Sequence, residues 1–118
     1  MSTPAQKHIA VLRAYGLTIP EIVRIAAVAK NASVQMWEEG SIEPRLKASC
    51  RLAQAAAIPG MILEQLGPDN HRSNVRTFFS QKFEVLEWMN PISFVARYGE
   101  ARPEDLVLAV KIFAEAKH

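Results

Sequence analysis

Cysteine is almost missing from this chain. Cys50 is the only one in 118 residues, so no disulfide can form within it, and a reducing cytoplasm is the compartment that suits it. The three histidines, His8, His71 and His118, stand far apart, and no pair has a metal-ligand spacing such as i, i+4 on one helix. No glycine-rich phosphate loop is present. The adjacent acids Glu38-Glu39 and Glu104-Asp105 cannot point at a common atom from a helix. These gaps lead us to expect no metal, no cofactor and no enzymatic activity. Apolar runs fall short of a membrane span. The opening MSTPAQKHIAVLRAYG lacks the apolar core of a signal peptide.

What is there is ordinary globular composition, 49% hydrophobic and 22% charged. The net charge of +2 is unevenly placed. Residues 1–58 carry seven Lys and Arg against four acids, and the remainder carries seven against eight. The positive excess lies in the N-terminal half, where it permits a polyanion partner without requiring one.

Helix signals dominate. Thr3-Pro4-Ala5-Gln6 reads as a capping box with proline at the first helical position, Ile9 and Leu12 share a face, and Gly16 is the stop. Thr18-Ile19-Pro20-Glu21 opens a second helix in the same way, with Ile22, Ile25 and Ala26 facing a core. Asn31 is expected to cap a third helix that Gly40 ends, with Val34 and Trp37 on one face. Pro44 is expected to start a fourth, buried along Leu46, Cys50, Ala53 and Ala57, and broken at Pro59-Gly60. On that stripe Cys50 reads as a small core residue rather than a nucleophile.

A turn at Gly67-Pro68-Asp69-Asn70-His71 divides the chain. Beyond it, Asn74–Phe79 reads either as extended chain or as a helix start. Ser80 is placed as the cap of a helix running to about Met89. Asn90-Pro91 opens a helix that Gly99 ends, and Pro103-Glu104-Asp105 opens the last, with Leu106, Val110 and Phe113 inside. Phe78, Phe79, Phe83, Trp88 and Phe94 are expected chiefly in the core, with self-association an open alternative. The expected fold is all-α: residues 1–58 as one module, 59–72 as a connector and 73–118 as a smaller helical unit.

Residues 17–44, LTIPEIVRIAAVAKNASVQMWEEGSIEP, resemble the helix-turn-helix of Xre-type repressors. The matching features are Leu17-Thr18, Glu21, Ile22, Ile25, Val28, Val34, Trp37-Glu38-Glu39-Gly40 and Pro44. The pattern departs in one place: Ala27 stands where the turn usually has glycine, and Val28–Val34 is one residue longer. The resemblance implies operator DNA as a partner, read by the third helix in the major groove, with a homodimer spanning two half-sites. Lys30, Asn31, Ser33 and Gln35, joined by Arg45 and Lys47, are the residue types that hold phosphates or base edges. Glu38 and Glu39 would repel phosphates if turned towards them.

Residues 74–113 are similar to the C-terminal toxin-binding domain of the MbcA/ParS/Xre antitoxin family, whose members partner RES-domain toxins that consume NAD. The resemblance rests on Asn74-Val75, Phe79-Ser80, Leu86, Asn90-Pro91, Phe94-Val95, Gly99 and the final apolar helix. It implies an antitoxin-like regulator that docks a RES-type toxin, with Pro103–His118 as the inhibitory element. Phe94, Arg97, Tyr98, Leu108, Ile112, Lys117 and His118 are the candidate contacts. Two alternatives stay open: a stand-alone repressor whose second half dimerises, and a protein-binding adaptor with a degenerate helix-turn-helix.

Overall fold

The computed structural model describes residues 2–117. Two reciprocal caps set the N-terminal geometry. The Thr3 hydroxyl accepts from the Gln6 N–H at 3.1 Å while the Gln6 side chain accepts from the Thr3 N–H at 2.8 Å, opening α1 (Pro4–Ala14). Thr18 and Glu21 repeat the exchange at 3.3 and 2.9 Å and open α2 (Ile19–Ala26). Each cap contributes about 1 kcal/mol. α3 (Asn31–Glu39) starts without a side-chain cap; Lys30, not Asn31, holds the capping position. Gly40, at φ +81°, ends it in a left-handed conformation that suits glycine.

α4 (Leu46–Leu66) departs most from expectation. It runs unbroken for 21 residues through Pro59. A mid-helix proline costs about 3 kcal/mol. Ile58 and Ile62, one turn apart and both fully buried, offset it at about 1.5–3 kcal/mol each. The expected connector over 59–72 is therefore the last turns of α4, a short turn, and the start of α5 (His71–Ser80). The buried stripe is also displaced. Ala48, Leu52, Ala55, Ile58 and Ile62 face inward, Cys50 and Ala53 are half-buried, Ala57 is exposed and Leu46 is 77% exposed. Both sets of positions hold small or apolar residues, so the periodicity leaves two candidate stripes, and packing against α1 and α7 selects one.

α5 settles the ambiguity over Asn74–Phe79 in favour of helix. Ser80 ends it rather than capping a new one, and its hydroxyl donates back to the Arg76 carbonyl at 3.1 Å. The chain then folds into a tight loop closed by an isolated bridge between Phe83 and Met89, with a 3₁₀ turn at Glu84–Leu86. Asn90 caps α6 (Pro91–Tyr98) by accepting from the Ser93 N–H at 2.9 Å. A second 3₁₀ turn, Gly99–Ala101, leads into α7 (Pro103–Lys117).

The fold is all-α. α4 is its spine and packs against α1, α2, α5, α6 and α7. α6 also packs on α2, so one continuous core joins Ile9, Leu12, Ile22 and Trp37 to Phe78, Phe94 and Phe113. Phe78, Phe79, Phe83 and Phe94 are buried as expected, but Trp88 is 64% exposed. Glu87 and Trp88 both have positive φ, at 55° and 62°, which turns the loop back and swings the indole outward.

Candidate functional site

The reach of α3 is decided by what it buries. Val34 is completely buried and Trp37 is only 6% exposed, so these two residues clamp α3 onto α1 and α2. Residues on the other side of the helix are left outward: Asn31, Ala32 and Gln35 are exposed, and Lys30 is exposed just ahead of them. Ala27 ends α2 in the left-handed conformation, at φ 57° and ψ 43°. It supplies without glycine the turn that the α2–α3 corner needs.

Of the six residues expected at nucleic acid, Lys30, Asn31 and Gln35 lie together on or just before this outward face. Ser33 is half-buried and lines a groove with Trp37, Ile42 and Arg45. Lys47 does not join them. It lines a different groove, with Cys50, Arg51 and the Gly99–Ala101 turn. The acids on α3 are partly accounted for. Glu38 pairs with Arg13 of α1 at 3.5 Å, and its backbone carbonyl accepts from the Gln6 side chain at 3.2 Å, which holds it towards α1. Glu39 is exposed.

The candidate partner contacts divide more sharply. Phe94 is fully buried beneath Tyr98 and Arg102, so it belongs to the core and not to a docking surface. Its place on the inward face of an eight-residue helix that packs on α2, α4 and α5 is the reason. Tyr98 is half-buried; the guanidinium groups of Arg97 and Arg102 lie 5.6 and 4.7 Å from its ring centre, and its hydroxyl donates to Glu87. Leu108 and Ile112, one turn apart on α7, are 45% and 42% exposed. Arg97 is exposed, and Lys117 lies 5.5 Å over the Phe113 ring. His118 lies outside the described residues. Trp88, the most exposed aromatic side chain described, was not among the expected contacts.

An ionic chain organises the Trp88 loop. Arg102 donates to Glu87 at 2.7 Å and to Asp105 at 2.6 Å. The Tyr98 hydroxyl, and then Arg102, hold the Glu87 carboxyl below the usual carboxylate range. Asp105, then Glu87, raise the Arg102 guanidinium further. At the other groove the Cys50 thiol is pushed up, first by the neighbouring Glu100 carboxylate and then by desolvation. A thiol raised in this way is a poor nucleophile at neutral pH.

Among the described residues, no group of three His, Cys, Asp or Glu side chains is placed to hold a metal ion, and no helix is long and apolar enough to cross a membrane. Comparison with protein-family models, with curated proteins and with solved structures gives no match.

Proposed function

We propose that this chain is an antitoxin-like transcriptional regulator, without enzymatic activity, that reads operator DNA with α3 and docks a RES-type, NAD-consuming toxin through its C-terminal helices. The observation that carries the DNA half is the clamp of α3 by Val34 and Trp37, which leaves Lys30, Asn31 and Gln35 together on an exposed helix start. In this reading Gln35 and Asn31 face base edges, while Lys30 and Arg45 hold phosphates. The Glu38–Arg13 pair supports it by drawing one acid away from the groove side. The toxin half is carried by Leu108 and Ile112, apolar side chains that α7 leaves in solvent.

A second reading has one observation in its favour. α5, α6 and α7 share their core with α1–α4, as they would in a stand-alone repressor whose second half only completes the fold and dimerises.

The deciding experiment has two arms. The full chain is titrated onto duplex from its own upstream region, and onto random duplex, at rising salt. Tighter binding to the former, with log K falling by about 0.9 per phosphate neutralised, is expected. Negligible binding to both duplexes at low salt sinks the DNA half. In the second arm the chain is co-expressed with the product of the neighbouring gene. Suppression of that product's NAD consumption is expected, and unaffected consumption leaves the stand-alone repressor as the better reading.

A further inference from the structure

The groove between the first turns of α4 and the Gly99–Ala101 turn has no part in the reading above, and its chemistry is distinctive. Lys47 and Arg51, four residues apart, present two cations on the same side of α4. The Arg51 guanidinium lies along the backbone of Gly99. A Cβ there would come within 3.4 Å of Nε and 3.5 Å of Cζ. Gly99 itself sits at φ 56° and ψ −128°, a conformation that excludes side chains. The backbone angle depends on glycine, while a Cβ at these distances would make only ordinary van der Waals contact with the guanidinium. The Arg51 Nε–H is buried and has no acceptor among the described residues.

The cations of this groove are also unpaired. Among the described residues, neither Lys47 nor Arg51 has a carboxylate within 4 Å; the four ion pairs lie elsewhere. Glu100, the one acid among the described residues lining the groove, forms an ion pair with neither cation. Two positive charges, one negative charge and a half-open groove of about 240 Å³ remain. A guanidinium that has already lost part of its hydration is well suited to an oxyanion, and it loses less than a free side chain on binding one.

We propose that this groove binds the oxyanion group of a small ligand, a phosphate or a carboxylate, between Lys47 and Arg51. The anion takes donors from both side chains near the positive end of the α4 dipole. Glu100 stands at the rim and limits the affinity through like-charge repulsion. The site is separate from the α3 surface, so it requires neither DNA nor a toxin.

The test is a nuclear magnetic resonance titration of the full chain with sodium phosphate and, separately, sodium acetate. Sodium chloride holds the ionic strength constant. The signals followed are the Arg51 Nε–H and the Gly99 amide. Saturable shifts at both are expected. Stronger binding of phosphate assigns a phosphate-bearing ligand, and stronger binding of acetate a carboxylate-bearing one. Arg51→Gln and Lys47→Gln should weaken the binding by roughly tenfold or more, as loss of a charged hydrogen bond does. Glu100→Gln should tighten it by about threefold. Shifts that rise linearly without saturating, or that chloride reproduces, overturn the proposal. Unchanged affinity in Lys47→Gln overturns it too; Lys47 is exposed, so that variant decides the matter even if Arg51→Gln does not fold. Because no DNA is present, failure of the operator reading would leave these outcomes unaltered.

Discussion

The Tyr98 hydroxyl donates to the Glu87 carboxylate, tying the end of α6 to the loop that carries Trp88. Arg102 grips the same carboxylate from the start of α7. Glu87 therefore has a lower pKa in the folded chain than in the unfolded one, where about 4.3 is usual. For a carboxyl lowered in this way, its stabilisation is complete above the unfolded value and is lost as pH falls through the folded one. Tyr98→Phe should raise the Glu87 pKa towards the ordinary carboxylate value. A carbon-detected carboxyl titration of both proteins checks this, and identical Glu87 titration curves would show that the hydroxyl contributes nothing.

Ala27 is an exposed alanine held in a left-handed conformation. Ala27→Gly removes the Cβ conflict but makes the unfolded chain more flexible. We expect the conformational relief to win, with a net gain of about 0.5–1 kcal/mol. Urea unfolding reads it as a higher midpoint at an unchanged slope. A lower midpoint would show that the α2–α3 corner carries no strain.

Trp37→Ala should be far more costly. The side chain is buried between α3 and its neighbours, and its loss should destabilise the fold by roughly 3–5 kcal/mol. Denaturant unfolding followed by circular dichroism measures this directly. A loss below about 1 kcal/mol, the range of a surface change, would mean that α3 is held by something other than this clamp.

Leu108→Asp and Ile112→Asp separate docking from folding. Both side chains are only partly covered, so each change should cost no more than about 1 kcal/mol of stability while abolishing toxin neutralisation. Removing Pro103–Lys117 altogether is a poorer test. α7 contributes Leu106, Val110 and Phe113 to the shared core, so its deletion would unfold the chain whatever its function. Neutralisation that survives both aspartates would assign the toxin contact to another surface.

On DNA, Arg45→Ala should reduce the salt slope by about one unit, while Gln35→Ala should narrow the gap between upstream and random duplex. Lys47→Ala should change the slope less than Arg45→Ala, because Lys47 lines a different groove. Equal slope changes would place both cations on the phosphate track.

How far the sequence could be read varies with the range of the forces involved. Thr3, Thr18 and Asn90 announce their helices because a cap is a bond over three residues, and composition alone identifies it. The burial of Val34 and Trp37 follows from one helical period. The all-α class follows from the sum of such signals. Local signals misled at Pro59, where a proline reads as a break; the burial of Ile58 and Ile62 against distant helices outweighs it, so α4 continues and the expected connector becomes helix. Glu87-Trp88 contains no turn residue. Only the closure of Phe83 onto Met89, together with the grip of Tyr98 and Arg102, holds two left-handed residues there and puts Trp88 in solvent. The same holds for Phe94 and for the meeting of Arg51 with Gly99, which are 48 positions apart in the chain. Hydrogen bonds within a helical turn are determined by the sequence itself. Which apolar face turns inward, and which cations meet across a groove, is decided only when distant segments pack against one another.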